Sequence, residues 1–285
     1  MELLIILCLC LLSTTKVTLQ GRFAKKHISS FSDGVFFNGI IFLFASLIFV
    51  KNAFDFRLPV FMYAFGFGLL TVLFQAVYIK GMSFGNVSLS VLIVNLSMVI
   101  PILSSVIVFG EKPTLPKIIG LILTVVTLML NVDRSEQNKS SKKWFIMSAC
   151  SFFLNGALAV IQQFFGRTEW KGESGSFVAW SYISATIISV LLYFILMRKK
   201  DSKPFNMKFS VLLTGLAIGV VLGTFQFINT KAISEIDGLL LFPAFYGGTI
   251  VTSTLSGVLI LKDKLKPKQI LSIITGVVAI VVMNI

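Results

Sequence analysis

The sequence predicts an all-α polytopic membrane protein with ten transmembrane helices arranged as two inverted five-helix repeats. Three observations predict it. The 285 residues are 56% hydrophobic and only 13% charged, where a soluble domain carries about a quarter charged residues. The apolar residues, 28 Phe among them, fall in runs near the ~20 residues a helix needs to cross a hydrocarbon core. One stretch also occurs twice. Gly68–Asn86 and Gly219–Asp237 share Gly68/Gly219, Phe74/Phe225, Gln75/Gln226, Lys80/Lys231 and Ser83/Ser234 at a single offset of 151.

In chain order the predicted spans are 2–20, 31–50, 58–80, 86–109, 114–131, 143–165, 175–197, 208–231, 238–261 and 267–285. The first is expected to be a retained span. Glu2 stands where a secretory leader carries basic residues, and no small-residue cleavage pattern follows the apolar run. The third holds the first copy of the duplicated stretch. The fourth contains Ile100-Pro101, where a ring-induced kink is expected. The fifth begins near Pro116 and the tenth near Pro267, first-turn positions where a missing N–H costs little. Between the halves lies the polar linker 132–143, VDRSEQNKSSKK, which separates a first repeat, 1–131, from a second, 144–285. Its sequon, Asn138-Lys139-Ser140, is silent on a cytoplasmic loop. The eighth span holds the second copy.

Weaker matches extend the duplication: Gly110-Glu111-Lys112 against Lys262-Asp263-Lys264, Gly120 against Ser272, and Gln20 against Gln162. An odd number of spans per copy makes the second copy cross the membrane in the opposite sense. Two such copies are related by a pseudo-two-fold axis in the membrane plane, the plan of alternating-access transporters with substrate near the midplane.

Loop charges give an orientation. The odd-numbered loops hold seventeen Lys and Arg and the even-numbered loops seven. The positive-inside rule then puts the odd loops in the cytoplasm and both termini outside. The same distribution accounts for the formal net charge of +13 and leaves no basic surface for nucleic acid, so none is expected as a partner.

The residue inventory excludes several chemistries. Cys8, Cys10 and Cys150 lie in apolar runs without zinc spacing. The one histidine, His27, falls in a predicted loop, so the clustered His, Cys or acid groups of an intramembrane enzyme are missing and no metal or cofactor is implied. No Asp or Glu is expected deep in a span; Glu2, Glu111, Asp237 and Asp263 sit near ends. A carboxylate-based exchange of organic cations for protons is therefore disfavoured.

The polar groups that remain inside the spans are the candidate substrate-binding residues. Gly68, Gln75 and Tyr78 share one helix face, and Gly219, Gln226 and Asn229 share its counterpart. Asn95, Asn155 and Tyr246 lie at similar depth, with Trp180, Tyr182 and Ser253 as further polar groups there. The glutamines have three readings: interhelical ties, cavity groups, or parts of two gates near opposite surfaces. Lys16 is the one basic residue well inside a span. Either it snorkels to the cytoplasmic surface, or its ammonium meets a substrate carboxylate or phosphate.

Five plus five spans, Gly110-Glu111-Lys112 with Gly120, the weaker Asp263 and Ser272 copy, Lys80-Gly81-Met82-Ser83 with Lys231-Ala232-Ile233-Ser234, and Lys16 in the first span resemble the drug/metabolite transporter superfamily, in its ten-span EamA-type branch. The resemblance covers essentially the whole chain. It implies a carrier or exchanger of small metabolites, often an exporter, with a cavity lined mainly by spans 1, 3, 4, 6, 8 and 9. Together with the residues it predicts a secondary transporter of a small molecule, such as an amino acid or related anion, in a lipid bilayer. The expected site is the plasma (inner) membrane, as monomer or homodimer. A channel or scaffold is the alternative.

Overall fold

A computed structural model describes residues 2–28, 30–82, 84, 87–130, 142–198, 205, 207–261 and 267–283. Most of the linker 132–143, and Ser83, Asn86 and Asp263, lie outside the described residues. The elements are helices: α1 (Glu2–His27), α2 (Phe31–Ile48), α3 (Val50–Ala53), α4 (Leu58–Met82), α5 (Val87–Leu96), α6 (Val99–Ile107), α7 (Leu115–Leu130), α8 (Lys142–Gly166), α9 (Ser174–Met197), α10 (Phe209–Glu235), α11 (Gly238–Leu261) and α12 (Pro267–Met283). A 3-10 turn, Glu169–Gly172, joins α8 to α9.

Among the described residues, eight stretches are long and apolar enough to cross a membrane. The α7 and α12 helices are apolar but shorter, at 16 and 17 residues, about 24–26 Å of helix. Together they make an integral membrane protein. Its outer faces are apolar in the way lipid requires. In α7 the exposed residues are Leu115, Ile118, Ile119, Ile122, Val126 and Met129, while the buried ones are Gly120, Thr124, Thr127 and Leu128. Small and hydroxylated residues face protein, because lipid already solvates the aliphatic side and close packing has to hold the helices together.

Two features differ from the sequence expectation, and one acidic residue that it did not name has a clear role. The fourth predicted span, 86–109, is not one helix: it breaks at Ser97–Met98 into α5 and α6. Pro101 has no N–H to offer the Ser97 carbonyl, which instead accepts from Ile100 at 3.0 Å. Ser97 and Met98 donate to Val94 and Asn95 in the same tightened i−3 pattern. The kink expected at Ile100-Pro101 thus falls three residues earlier, where the orphaned carbonyl lies. The first helix runs on to His27, so His27 ends a helix and is not in a loop. The buried Asp33 is an end cap: Ser30 and Asp33 bond reciprocally, at 2.9 and 3.1 Å, across the first turn of α2.

The packing has a matched plan. The α2 helix packs on α9 and α7 on α12; α4 packs on α8 and α9, and α10 on α1 and α2. Gly68 lets α4 touch the α9 backbone, where a Cβ would meet the Ser181 carbonyl oxygen, Ser184 Cβ and Ala185 N. Gly219 does the same between α10 and α2, against Ile41 O, Phe44 Cβ and Ala45 N. Each of those three atoms recurs 140 residues later in the other set.

Charged side chains meet at the N-terminus of α11. The Glu111 carboxylate accepts from Arg167 at 2.9 Å and from the backbone N–H groups of Gly238 and Leu239 at 3.2 and 3.1 Å. It thereby caps α11, whose first N–H groups have no partner within the helix and whose dipole favours an anion. Lys117 pairs with Asp237 at 2.8 Å beside it. Gly110 reaches this position through φ +67°, a left-handed turn that ends α6 and suits glycine.

Candidate functional site

A cavity of about 300 Å³ lies between the halves. Its walls come from α1 (Ser13, Lys16, Val17), α4 (Phe67, Thr71, Phe74, Gln75), α5 (Val94, Asn95), α8 (Asn155, Leu158, Ala159, Gln162), α10 (Leu222, Phe225, Gln226, Asn229, Ile233) and α11 (Leu241, Phe242, Phe245, Tyr246, Thr249). Phe42 of α2 and Tyr182 of α9 complete it. The six main helices are those the first subsection expected to line a cavity.

Seven of the eight candidate residues meet here: Lys16, Gln75, Asn95, Asn155, Gln226, Asn229 and Tyr246. Tyr78 is not on the wall; its ring stacks on Phe74 at 5.5 Å. One further turn of α4 carries it past the cavity, although it shares a face with Gln75. The two glutamines line the same cavity, one from each half.

The kink in the fourth span builds one polar node. The tightened turn at Ser97 leaves the Val94 carbonyl, which already takes the Ser97 N–H, able to accept from Ser97 Oγ as well, at 2.6 Å. Asn155 Nδ2 donates to Ser97 Oγ at 2.7 Å and to the Tyr246 hydroxyl at 3.1 Å. A break in α5–α6, an amide on α8 and a phenol on α11 are thus tied at one point. Irregular backbone is tolerated at such depth where it lines a cavity or is buried in protein.

A second node lies on α10. Asn229 Nδ2 donates to Gln162 Oε1 at 3.3 Å, and Gln162 Nε2 to Thr230 Oγ1 at 3.1 Å. The Tyr182 hydroxyl donates to Gln226 Oε1 at 3.4 Å. Two amide atoms on the cavity wall are left over: Gln226 Nε2 and Gln75 Oε1 are buried without a partner among the described residues. An unpaired buried amide group costs about 1–3 kcal/mol, and each is a place where a ligand's hydrogen bond offsets that cost.

Lys16 also faces the cavity. Its ammonium sits 5.9 Å from the centroid of the Phe225 ring, and ten residues of α1 separate it from His27. That depth and direction speak against simple snorkelling at a helix end.

Gln162, Phe74, Phe225 and Phe242 also line the cavity, and the sequence reading did not place them in the site. Two signals could have found most of them. Gln162 stands seven residues after Asn155 and so shares its face. Phe74 and Phe225 were in the duplicated stretch, immediately before the glutamines. The neighbouring Gln163 turns away, to Pro101 O and Ser105 Oγ, and the sequence has no signal that separates the two.

Three comparisons bear on this architecture. The chain is 25% identical over 229 residues to an uncharacterized protein of Haemophilus influenzae (strain ATCC 51907 / DSM 11121 / KW20 / Rd), covering 74% of this chain and 72% of that one. A crystal structure named only as that of a protein matches with a TM-score of 0.75 at 14% identity, over 97% of this chain and 98% of its own, which shows a shared fold. Residues 3–132 match the EamA-like transporter family, so the first half of the chain is similar to that family's members.

Proposed function

We propose that the protein is a secondary carrier that moves a small metabolite by alternating access. Its units are two inverted five-helix repeats, 1–131 and 144–285, joined by the linker 132–143. The observation that carries this reading is the cavity wall: Phe74 and Gln75 from one half stand with Phe225 and Gln226 from the other around a single space. The equivalent glycine crossings of α4 on α9 and α10 on α2 support the same symmetry. Inverted repeats supply two near-equivalent states around one fixed site.

The closed charge network of Glu111, Arg167, Lys117 and Asp237 fits a gate shut on one surface. In the orientation with both termini outside, that surface is the external one, and the cavity then serves export from the cytoplasm. The unpaired Gln75 oxygen and Gln226 nitrogen fit a substrate with both a donor and an acceptor, such as an amino acid or a related anion.

Counterflow in proteoliposomes tests the carrier. Uptake of labelled substrate should saturate, and should rise when unlabelled substrate is loaded on the far side. Linear, unsaturated flux insensitive to loading would sink the carrier in favour of a pore.

A further inference from the structure

We infer that the cavity takes a small apolar molecule bearing a single carboxylate, with Lys16 as the counter-charge. This deepens the carrier reading, rests on the same cavity and narrows its substrates to anions, because the ammonium of an amino acid would meet a like charge at Lys16 with no acid on the wall among the described residues.

Among the described residues, Lys16 is the one charged side chain on the cavity wall. Among the described residues it has no carboxylate partner, and its recorded contact is the Phe225 ring. Lys16 is only partly exposed; an ammonium with reduced access to water is costly unless paired, and aromatic contact offsets only a small part of that, about 0.5–2 kcal/mol. A bound carboxylate supplies the missing partner.

The second donor is Gln226. It is 4% exposed, its oxygen is taken by the Tyr182 hydroxyl, and its Nε2 is buried with no acceptor. Lys16 and Gln226 both line the same space, so two donors wait there for one acceptor group. Around them Phe42, Phe74, Phe225 and Phe242 form apolar walls, which suit a hydrocarbon body.

Counting charge narrows the class further. A dianion such as a phosphate monoester brings a second negative charge that no cavity residue matches. An organic cation meets a like charge at Lys16 and no acid to balance it. A single carboxylate leaves the loaded site neutral.

The test uses the full chain in lipid nanodiscs and isothermal titration. The probes are apolar monocarboxylates from butyrate to 3-phenylpropionate, each with its isosteric primary amide, together with phenethylammonium and phenyl phosphate. At least one carboxylate should bind ~10-fold or more tightly than its amide, a difference of one charge-assisted contact. The ammonium and the phosphate should bind more weakly than that carboxylate. Lys16→Met should bring the carboxylate down to the level of the amide with both still measurably bound, which separates lost recognition from lost folding. Lys16→Arg should keep the preference. The proposal is overturned if carboxylates and amides bind alike, if the preference survives in Lys16→Met, if the ammonium or phosphate binds tightest, or if no carboxylate binds below ~10 mM, the range of negligible affinity. Linear flux in liposomes with the carboxylate preference intact would instead remove the carrier and leave this recognition standing.

Discussion

Phe42 and Tyr182 stack on each other across the α2–α9 contact, with ring centroids 5.5 Å apart and planes 12° from parallel. They are also counterparts: the α9 atoms that meet Gly68 lie 140 positions after the α2 atoms that meet Gly219, and the same shift carries Phe42 to Tyr182. Both rings reach the cavity wall. The pair therefore joins the two halves at equivalent positions and forms part of the site. Phe42→Ala should lower the melting temperature in detergent, with a loss of roughly 3–5 kcal/mol for a buried ring. Tyr182→Phe keeps the stack and removes one hydrogen bond to Gln226, so its cost should be about 1 kcal/mol.

The glycine crossings predict opposite signs for similar substitutions. Gly68→Ala and Gly219→Ala force a methyl into neighbouring backbone and should destabilise by about 1–3 kcal/mol. Gly21 lies within α1 and has nothing within 4 Å of an added Cβ. Gly21→Ala should be neutral or stabilising by up to ~1 kcal/mol, through helix propensity alone. Thermal unfolding of the three variants under one detergent condition checks the contrast.

Glu111 has two jobs, an ion pair and a helix cap, and substitutions can separate them. Glu111→Gln keeps an acceptor for the α11 N–H groups and loses the charge, whereas Glu111→Ala loses both. The alanine variant should cost about 1–3 kcal/mol and the glutamine variant less. Arg167→Gln removes the pair and leaves the cap in place. Because Arg167 is partly exposed, its loss should be the smallest of the three.

Transport variants should divide by position on the wall. Lys16→Ala, Gln75→Ala and Gln226→Ala are expected to raise KM by about 10-fold or more in saturable uptake. Tyr78→Phe, off the wall, should leave KM unchanged. Wild-type affinity and rate in all three wall variants would remove these residues from the site.

Orientation has its own measurement. In a variant without Cys8, Cys10 and Cys150, a cysteine replacing Lys231 should react with an impermeant reagent added outside intact cells. One replacing Lys139 should be shielded. The reverse pattern would turn the protein over and put the Glu111 network on the cytoplasmic surface.

The helical fold was legible because the bilayer imposes a simple rule: every span must satisfy its own backbone and present apolar groups to lipid. The runs from Phe31, Leu58, Ser174 and Phe209 follow it plainly. The break at Ser97–Met98 was less legible. Pro101 announces a disturbance, but the carbonyl it orphans lies four residues back, and the release came as a tightened turn there. The site was readable where duplication marked it, as at Gln75 and Gln226. It was unreadable where the answer depended on a helix's rotation. Gln162 and Gln163 are adjacent, yet one faces the cavity and the other the α6 backbone. Tyr78 shares a face with Gln75 but sits beyond the end of the cavity. The cap made by Glu111 joins residues 127 positions apart, and no local pattern announces it.

The solitary charge of Lys16 has an electrical consequence. In a carrier that binds one carboxylate there, the loaded site is neutral and the empty site carries +1. Membrane voltage then acts on the return of the empty protein and not on the loaded crossing. A unit charge moved through the full field is worth about 2.3 kcal/mol per 100 mV. With the inside negative, the field draws the vacant, positively charged site back toward the cytoplasm, so the resting potential itself would favour successive rounds of export.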